Sequence, residues 1–164
     1  MRAFLFAILL SLAVPAHAGD VAIYITPAQL KAQFQAWNFE VFAHEDEFDR
    51  PQLLVEPLSG EGNRFGLLLL NCKPDGETFM NSQCDGFEFR AYMRPGFPID
   101  AEVYEKWNSS HGRARAFVFD GFTNLAWYIH VGGGFVWTNI QAQLAFWQSE
   151  LAEYKDYLDA SIMD

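Results

Sequence analysis

The sequence predicts a single α+β domain in which helices pack mainly on one face of an antiparallel sheet. Its length of 164 residues is typical of one domain. Short runs of alternating apolar and polar residues are separated by tight turns, which favours antiparallel pairing. Segments with helical periodicity lie near the beginning, in the middle and at the end. The predicted order is helix, two or three strands, a strand after a cysteine-flanked loop, helix, two strands, helix.

The composition excludes two broad classes of protein. Hydrophobic residues make up 51% of the chain and aromatic residues 16%, enough apolar surface to offset the entropy of folding, so the chain is not predicted to be disordered. Its 11 Lys+Arg against 21 Asp+Glu give a formal net charge of -10. Because nucleic-acid binding depends on basic groups, this charge argues against a nucleic-acid partner.

Residues 1–18 have the pattern of a secretory signal peptide. A positive start at Arg2 precedes an apolar run over residues 3–14, and Ala16, His17 and Ala18 form a small-x-small cleavage pattern. The run is shorter than the roughly 20 residues that a spanning helix needs. We expect cleavage between Ala18 and Gly19, a mature domain over 19–164, a periplasmic or secreted location and no membrane attachment afterwards. The alternatives are an uncleaved anchor or a core helix.

The two cysteines, Cys72 and Cys84, are predicted to form a disulfide. An even count in an exported chain favours pairing. Cys72 follows an apolar run, Cys84 precedes an alternating run, and a Pro-Asp-Gly turn lies between them, which places both cysteines at the base of a hairpin. Metal binding or a redox pair are the alternatives, but the spacing lacks the CxxC form and two further ligands.

Capping signals predict where three helices begin. Thr26 and Gln29 flank Pro27 in a capping box, so a helix should run from there to about Trp37. Asp100 should cap a second helix that ends by about residue 112. Thr138 and Gln141 form a second capping box before a long helix, whose apolar stripe comprises Ile140, Leu144, Trp147, Leu151, Tyr154, Leu158 and Ile162.

Five strands are predicted between these helices, over residues 53–58, 65–71, 87–92, 113–120 and 125–131, and residues 40–44 are a candidate for a sixth, short strand. Residues 121–124 should turn the chain between the last two strands. In the strand over 113–120, alternation predicts that Arg113 and Arg115 share one side with Phe117 and Phe119, opposite the small residues.

Motifs for catalysis, cofactors and metals are incomplete. His44 and Glu45 begin an HExxH-like stretch, but Phe48 occupies the position of the second histidine. Ser109 and Ser110 lack the GxSxG elbow, and the glycines at 132–134 lack the spacing of a phosphate loop. We therefore predict no enzyme, no cofactor and no metal site. The alternative for the acidic stretch over 44–47 is a weak site for a divalent cation.

One group of residues is predicted to form a binding surface. If the strands near residues 90 and 115 are neighbours, Arg90 and Arg115 share a sheet face. Arginines among aromatic rings are typical of interfaces, so this face could dock an acidic protein or peptide. The other interpretation is a solvated sheet with internal salt bridges to Glu88, Glu102 or Asp100. The remaining members of the predicted surface are Tyr92, Phe117, Phe119, Tyr128 and His130.

The order of motifs along the chain forms a recognisable pattern. Residues 107–147 contain a WN pair, a basic turn, an ARA-aromatic strand, an alternating strand, a GG turn and a helix start. Earlier in the chain lie the helix-like segment TPAQLKAQFQAWNFEV, and Cys72 and Cys84 followed by FEFRA. Over residues 22–157 this pattern resembles the YbjN-domain family, with its first helix and its cysteine-flanked hairpin. Arg113, where the family often has an aromatic residue, and a lengthened turn at 121–124 depart from the pattern.

The resemblance implies a fold similar to that of type III secretion chaperones, with the order α-β-β-β-α-β-β-α. It also implies a bacterial family without an established catalytic site, described as sensory-transduction regulators. We therefore expect an exported, non-enzymatic module that is protein-binding, chaperone-like or regulatory and acts through an open sheet face or a homodimer. The alternative is a small-ligand sensor or an enzyme, which would need a closed polar pocket holding His130 and Asp120.

Overall fold

The computed structural model describes residues 22–45, 51–60, 62–75, 78–93, 99–119 and 121–162, and within them it has three α-helices and six strands. The predicted signal peptide and its cleavage site at Ala18 and Gly19 lie outside these residues, as does Asp120. The elements are α1 (Pro27–Ala36), β1 (Phe39–Glu45), β2 (Pro51–Pro57), β3 (Phe65–Leu70), a 3-10 turn (Phe79–Asn81), β4 (Gly86–Met93), α2 (Ala101–Ser110), β5 (Arg115–Phe119), β6 (Phe122–His130) and α3 (Trp137–Ile162).

The strands form one antiparallel sheet in the order β1-β2-β3-β4-β6-β5. The predicted α+β class is confirmed, with α1 ahead of the strands. Four strands lie between α1 and α2, the larger of the two numbers that the sequence allows. Sequential strands are neighbours except at β4, which pairs with β6 because β5 lies at the outer edge.

The core lies between the sheet and the helices. Alternate strand residues are buried on the helix side, and the apolar stripe of α3 packs against them. Trp147 is fully buried and stacks on Phe89 with ring centroids 5.5 Å apart. The helices thus cover one sheet face, which we call the covered face; the opposite one is the open face.

The ends of two helices test the capping predictions. At α1 both hydrogen bonds of the predicted capping box are present: the Gln29 amide donates to Thr26 Oγ1 (3.1 Å), and the Thr26 amide donates to Gln29 Oε1 (2.9 Å). The second capping box is wrong, because α3 begins at Trp137 and Thr138 lies inside its first turn. The backbone carbonyl of Val136 accepts the first hydrogen bonds of that helix.

The turn between β5 and β6 is shorter than predicted. Phe119 pairs with Phe122, so two residues connect the strands, and most of the expected turn over 121–124 belongs to β6. Gly121 has a φ of 72°, a left-handed conformation that glycine adopts without a steric cost. Two-residue connections are common in hairpins because they suit the twist of paired strands, and the pairing of β5 with β6 continues as far as Phe119 and Phe122.

Cys72 and Cys84 are joined in the predicted disulfide, with their Cα atoms 4.0 Å apart. The bond lies where β3 and β4 separate, and Lys73 and Gln83 add two backbone hydrogen bonds beside it. Cys84 also pairs through its backbone with Ile25, ahead of α1. The disulfide therefore ties the loop of the hairpin to the segment that enters the first helix.

The two edges of the sheet differ. On β5, the side chain of Asn108 accepts from the Ala116 amide and donates to the Ala116 carbonyl, both at 2.8 Å. The Trp107 indole donates to the Ala114 carbonyl (3.3 Å). On β1, no strand of the described chain pairs with the side that faces away from β2. Helix α2 therefore occupies one edge, while no described strand pairs with the backbone groups of the other edge.

Candidate functional site

The structure places all seven residues of the predicted binding surface on the open face. Residues directly opposite each other in antiparallel strands share a face. Arg90 and Arg115 both lie opposite Ala126, one on each side of β6. In the next row, Tyr92 and Phe117 both lie opposite Asn124. Phe119, Tyr128 and His130 lie opposite Phe122, Glu88 and Gly86. We call this set of seven residues the arginine–aromatic surface.

Two details of the prediction are wrong. The strand of Arg90 does not neighbour the strand of Arg115, because β6 lies between them. Arg113 is not on the open face: strand β5 begins only at Arg115, and the guanidinium of Arg113 lies 4.3 Å from the ring centroid of Phe146 on α3. The alternation assumed for Arg113 fails because this residue precedes the strand.

Arg90 is the partly buried centre of the surface. Its Nε donates to Glu88 Oε1 (2.6 Å), and a second guanidinium nitrogen forms a salt bridge with the same carboxylate. Its guanidinium carbon lies 5.9 Å from the ring centroid of Tyr92 and 5.7 Å from that of Phe117. Burial lowers the pKa of Arg90, but Glu88 and Tyr92 more than offset this, so the pKa is raised and the group stays charged.

Arg115 differs from Arg90 in its surroundings. Its side chain is exposed and has no ion-pair partner among the described residues. Among the described residues, the internal salt bridge predicted for this surface therefore forms at Arg90, through Glu88, and Arg115 has no such partner.

Three aromatic side chains of this surface are exposed to solvent although they are large. Tyr92, Phe119 and Tyr128 keep 47%, 52% and 44% of their surface exposed. Burying such rings against a partner is a major source of binding energy at interfaces. Asn124, between Tyr92 and Phe117, is fully buried beneath them.

Tyr128 and His130 form a polar pair at one end of the surface. The Tyr128 hydroxyl and His130 Nδ1 lie 3.1 Å apart. Burial and the negative charge of Asp85 raise the pKa of Tyr128, so its hydroxyl keeps its proton. Gly86 lies directly beneath: a Cβ there would come within 2.7 Å of the Tyr128 ring, so only glycine allows this side chain to lie across β4.

An open groove of about 490 Å³ extends the open face towards β1. Phe42, Leu54, Gly66 and Arg90 form one row across β1, β2, β3 and β4, and the absence of a side chain at Gly66 deepens the groove there. None of the described residues that line it is acidic. They are Phe42, Ala43, His44, Gln52, Leu54, Arg64, Phe65, Gly66, Arg90 and Tyr92.

Sequence reasoning missed the β1 and β2 half of this face. Phe42 lies between two polar neighbours, Glu40 and His44, and so interrupts the alternation that a solvent-facing row should show. In β2, Leu53 and Leu54 are consecutive apolar residues, so one of them had to face outward. These two signals could have identified the groove.

His130, which was predicted for a closed polar pocket, lies on the open face of the sheet. His130 lies outside the groove and contacts Tyr128, while Asp120, its predicted companion in a closed pocket, is outside the described residues. In the described part of the chain, no three His, Cys, Asp or Glu side chains are grouped so that they could hold a metal ion. No helix of the described residues is long and apolar enough to cross a membrane.

Comparison with models of known protein families, with curated proteins and with solved structures finds no match to this chain.

Proposed function

We propose that this chain is an exported, non-enzymatic binding module whose open sheet face binds an acidic segment of a partner protein or peptide. The observation that carries the proposal is the arginine–aromatic surface: seven residues on one face, with three large aromatic side chains exposed and Arg115 without an ion-pair partner in the described chain.

Charge favours an acidic segment over other occupants. The chain has a formal net charge of -10, so a surface that exposes Arg115 and adjoins a groove with no acidic residue in its described lining departs from the rest of the molecule. Opposite charge speeds the encounter of two proteins and sets their register. The exposed rings then supply apolar contact, and arginine can stack on an aromatic side chain of the partner.

The proposed location is the periplasm or the outside of the cell. The disulfide and the absence of a membrane-crossing helix in the described residues are compatible with it. The resemblance to the YbjN-domain family supports a chaperone-like or regulatory role, because it implies a fold similar to that of type III secretion chaperones and a family described as sensory-transduction regulators. That family has no established catalytic site, which supports a non-enzymatic role. A homodimer is a further way in which such a module could act.

The test compares partner capture by variants of Arg115, the first residue of β5, and of Arg113, two residues before it. The mature protein would carry a photocrosslinker at Tyr128 and be exposed to extracytoplasmic extract. We expect Arg115→Glu to reduce captured partner at least tenfold, because it reverses the free charge of the surface. Arg113→Glu makes the same change on the helix side and should capture normally. Equal capture by the two variants would contradict the proposal.

Arg90 is a poorer probe of binding than Arg115. Arg90→Glu places a second carboxylate beside Glu88 on a partly buried site, which costs folding free energy. The double variant Arg90→Glu with Arg115→Glu should still abolish capture, provided that circular dichroism shows a folded protein. A folded double variant with undiminished capture would count against the arginine–aromatic surface.

The groove supports a second candidate, a sensor of a small amphipathic anion. Its volume of about 490 Å³ lies within the range of ligand sites, and Arg90 with the Tyr92 hydroxyl could receive an anionic head. Fluorescence of anilinonaphthalene sulfonate tests this directly. Saturable binding that Gly66→Phe removes, without loss of partner capture, would favour the sensor.

A further inference from the structure

The outer edge of β1 has a row of backbone groups that point away from the sheet. The Leu58 amide donates to the Asn38 carbonyl (3.1 Å). In an antiparallel pair every second residue is hydrogen-bonded to the neighbouring strand, so this bond determines which residues of β1 bond to β2. Glu40, Phe42 and His44 then bond to β2, and the backbone groups of the alternate residues, from Phe39 to Glu45, face outward. Among the described residues none of these outward groups has a partner.

This edge also has an unbalanced charge pattern. Glu40 lies directly opposite Glu56, a like-charge pair that destabilises a sheet. Glu56 has Arg64 as its partner at 3.3 Å, but Glu40 has no ion pair within the described chain. Four residues along the same strand, His44 is exposed and has no ion pair with any described residue. One edge strand therefore holds a carboxylate and an imidazole that do not reach each other within one copy.

We propose that β1 pairs antiparallel with β1 of a second copy, centred on Phe42. In this register Phe42 faces Phe42 of the second copy, and Glu40 faces its His44, twice by symmetry. All the outward backbone groups of β1 are used, in roughly eight hydrogen bonds. The strand is thus complementary to itself in shape, in charge and in hydrogen bonding, as a twofold interface requires.

Neighbouring registers satisfy these groups less well. Centring the pair on Val41 or Ala43 places Glu40 or His44 opposite Phe42 and leaves one end of the strand unpaired. The symmetry axis of the proposed register runs perpendicular to the sheet, so both open faces point the same way. Phe42, Ala43 and His44 line the groove, so the two grooves meet at the axis. The dimer goes beyond the proposed partner binding and does not depend on it.

Disulfide trapping tests the register. Both natural cysteines are already bonded to each other. Phe42→Cys would place two thiols opposite each other across the axis, and we expect mild oxidation to give a covalent dimer. Leu54→Cys is the matched control, since it is 40% exposed against 45% for Phe42 but lies on β2. A monomeric Phe42→Cys, or equal trapping of both variants, would overturn the proposal.

Charge reversal tests the pairing without cysteines. Glu40→Lys should weaken dimerisation, measured by analytical ultracentrifugation, about tenfold, because both contacts between a carboxylate and an imidazole are lost. The same change should stabilise the monomer, since the introduced ammonium group would face Glu56. His44→Glu should weaken dimerisation similarly, and the double variant should restore it. A folded double variant that does not regain dimerisation would overturn the proposal. Arg115→Glu should leave dimerisation unchanged and reduce partner capture alone.

Discussion

The covered face and the open face of the sheet are built from the same strands, yet their aromatic residues have different surroundings. On β4, Phe87 and Phe89 are fully buried beneath the helices, while Tyr92 on the other side is 47% exposed. Rings on the covered face pack on one another and on Trp147. Rings on the open face have no such layer within the described chain. Folding accounts for the first group, and binding is the proposed reason for the second.

The largest contrast is expected between Trp147 and Phe119. Trp147→Ala should lower the free energy of unfolding by about 3–5 kcal/mol, because it leaves a cavity between α3 and the sheet. Phe119→Ser on the open face should change it by about 0.5 kcal/mol or less. Urea denaturation of both variants measures the difference. Similar losses would mean that the open face also belongs to the core.

The disulfide is expected to have the next largest effect. Replacing Cys72 and Cys84 together by serine should lower the free energy of unfolding by about 3 kcal/mol, since the bond closes a loop with a sequence separation of 12. Denaturation of the oxidised protein with and without reductant provides the comparison, and the serine variant should not respond to reductant. If reductant still lowered the free energy of unfolding of the serine variant, the effect of reductant on the natural protein could not be assigned to the disulfide.

Tyr154 gives a smaller effect of opposite sign. Its hydroxyl is buried on the covered side without a hydrogen-bond partner among the described residues, so Tyr154→Phe should raise the free energy of unfolding by about 1 kcal/mol. Burial, with Tyr104 and Tyr157 nearby, raises the pKa of Tyr154. A raised pKa in the folded state contributes stability below the ordinary tyrosine pKa, and this contribution is lost as the pH rises further.

The pH dependence provides the control for that variant. Above about pH 10 the unfolded chain ionises its tyrosine first, so the advantage of Tyr154→Phe should grow with pH. Ultraviolet titration of the native protein should show a late tyrosine step that the variant lacks. A constant difference between the two proteins across this range would contradict the assignment to Tyr154.

Local signals made most of the fold predictable. The capping box at Thr26 and the apolar stripe of α3 depend on neighbours in sequence, and both helices form where expected to within a residue or two. The cysteine hairpin likewise needs only its own turn and flanking strands. The predictions for the start of α3 and for the length of the β5–β6 turn were wrong. Thr138 can lie before a helix or in its first turn, and residues 121–124 can form a turn or a strand, so tertiary contacts decide between the two structures.

The site was only partly predictable, because strand order is not local information. Alternation assigned Arg90 and Arg115 to one face, but it could not show that β6 lies between them. It also misplaced Arg113, since the point where a strand begins depends on its pairing partner. The groove was missed because it requires four strands in register, which brings Phe42 and Arg90 into one row although they are distant in sequence.

The amide of Asn108 acts on β5 as a substitute for a neighbouring strand. It offers one acceptor and one donor to Ala116, as a paired residue would. A sheet with both edges open can add copies without limit and so form fibres. Closing the β5 edge with a side chain leaves a single direction for growth, so that edge pairing at β1 stops after one addition and yields a finite assembly.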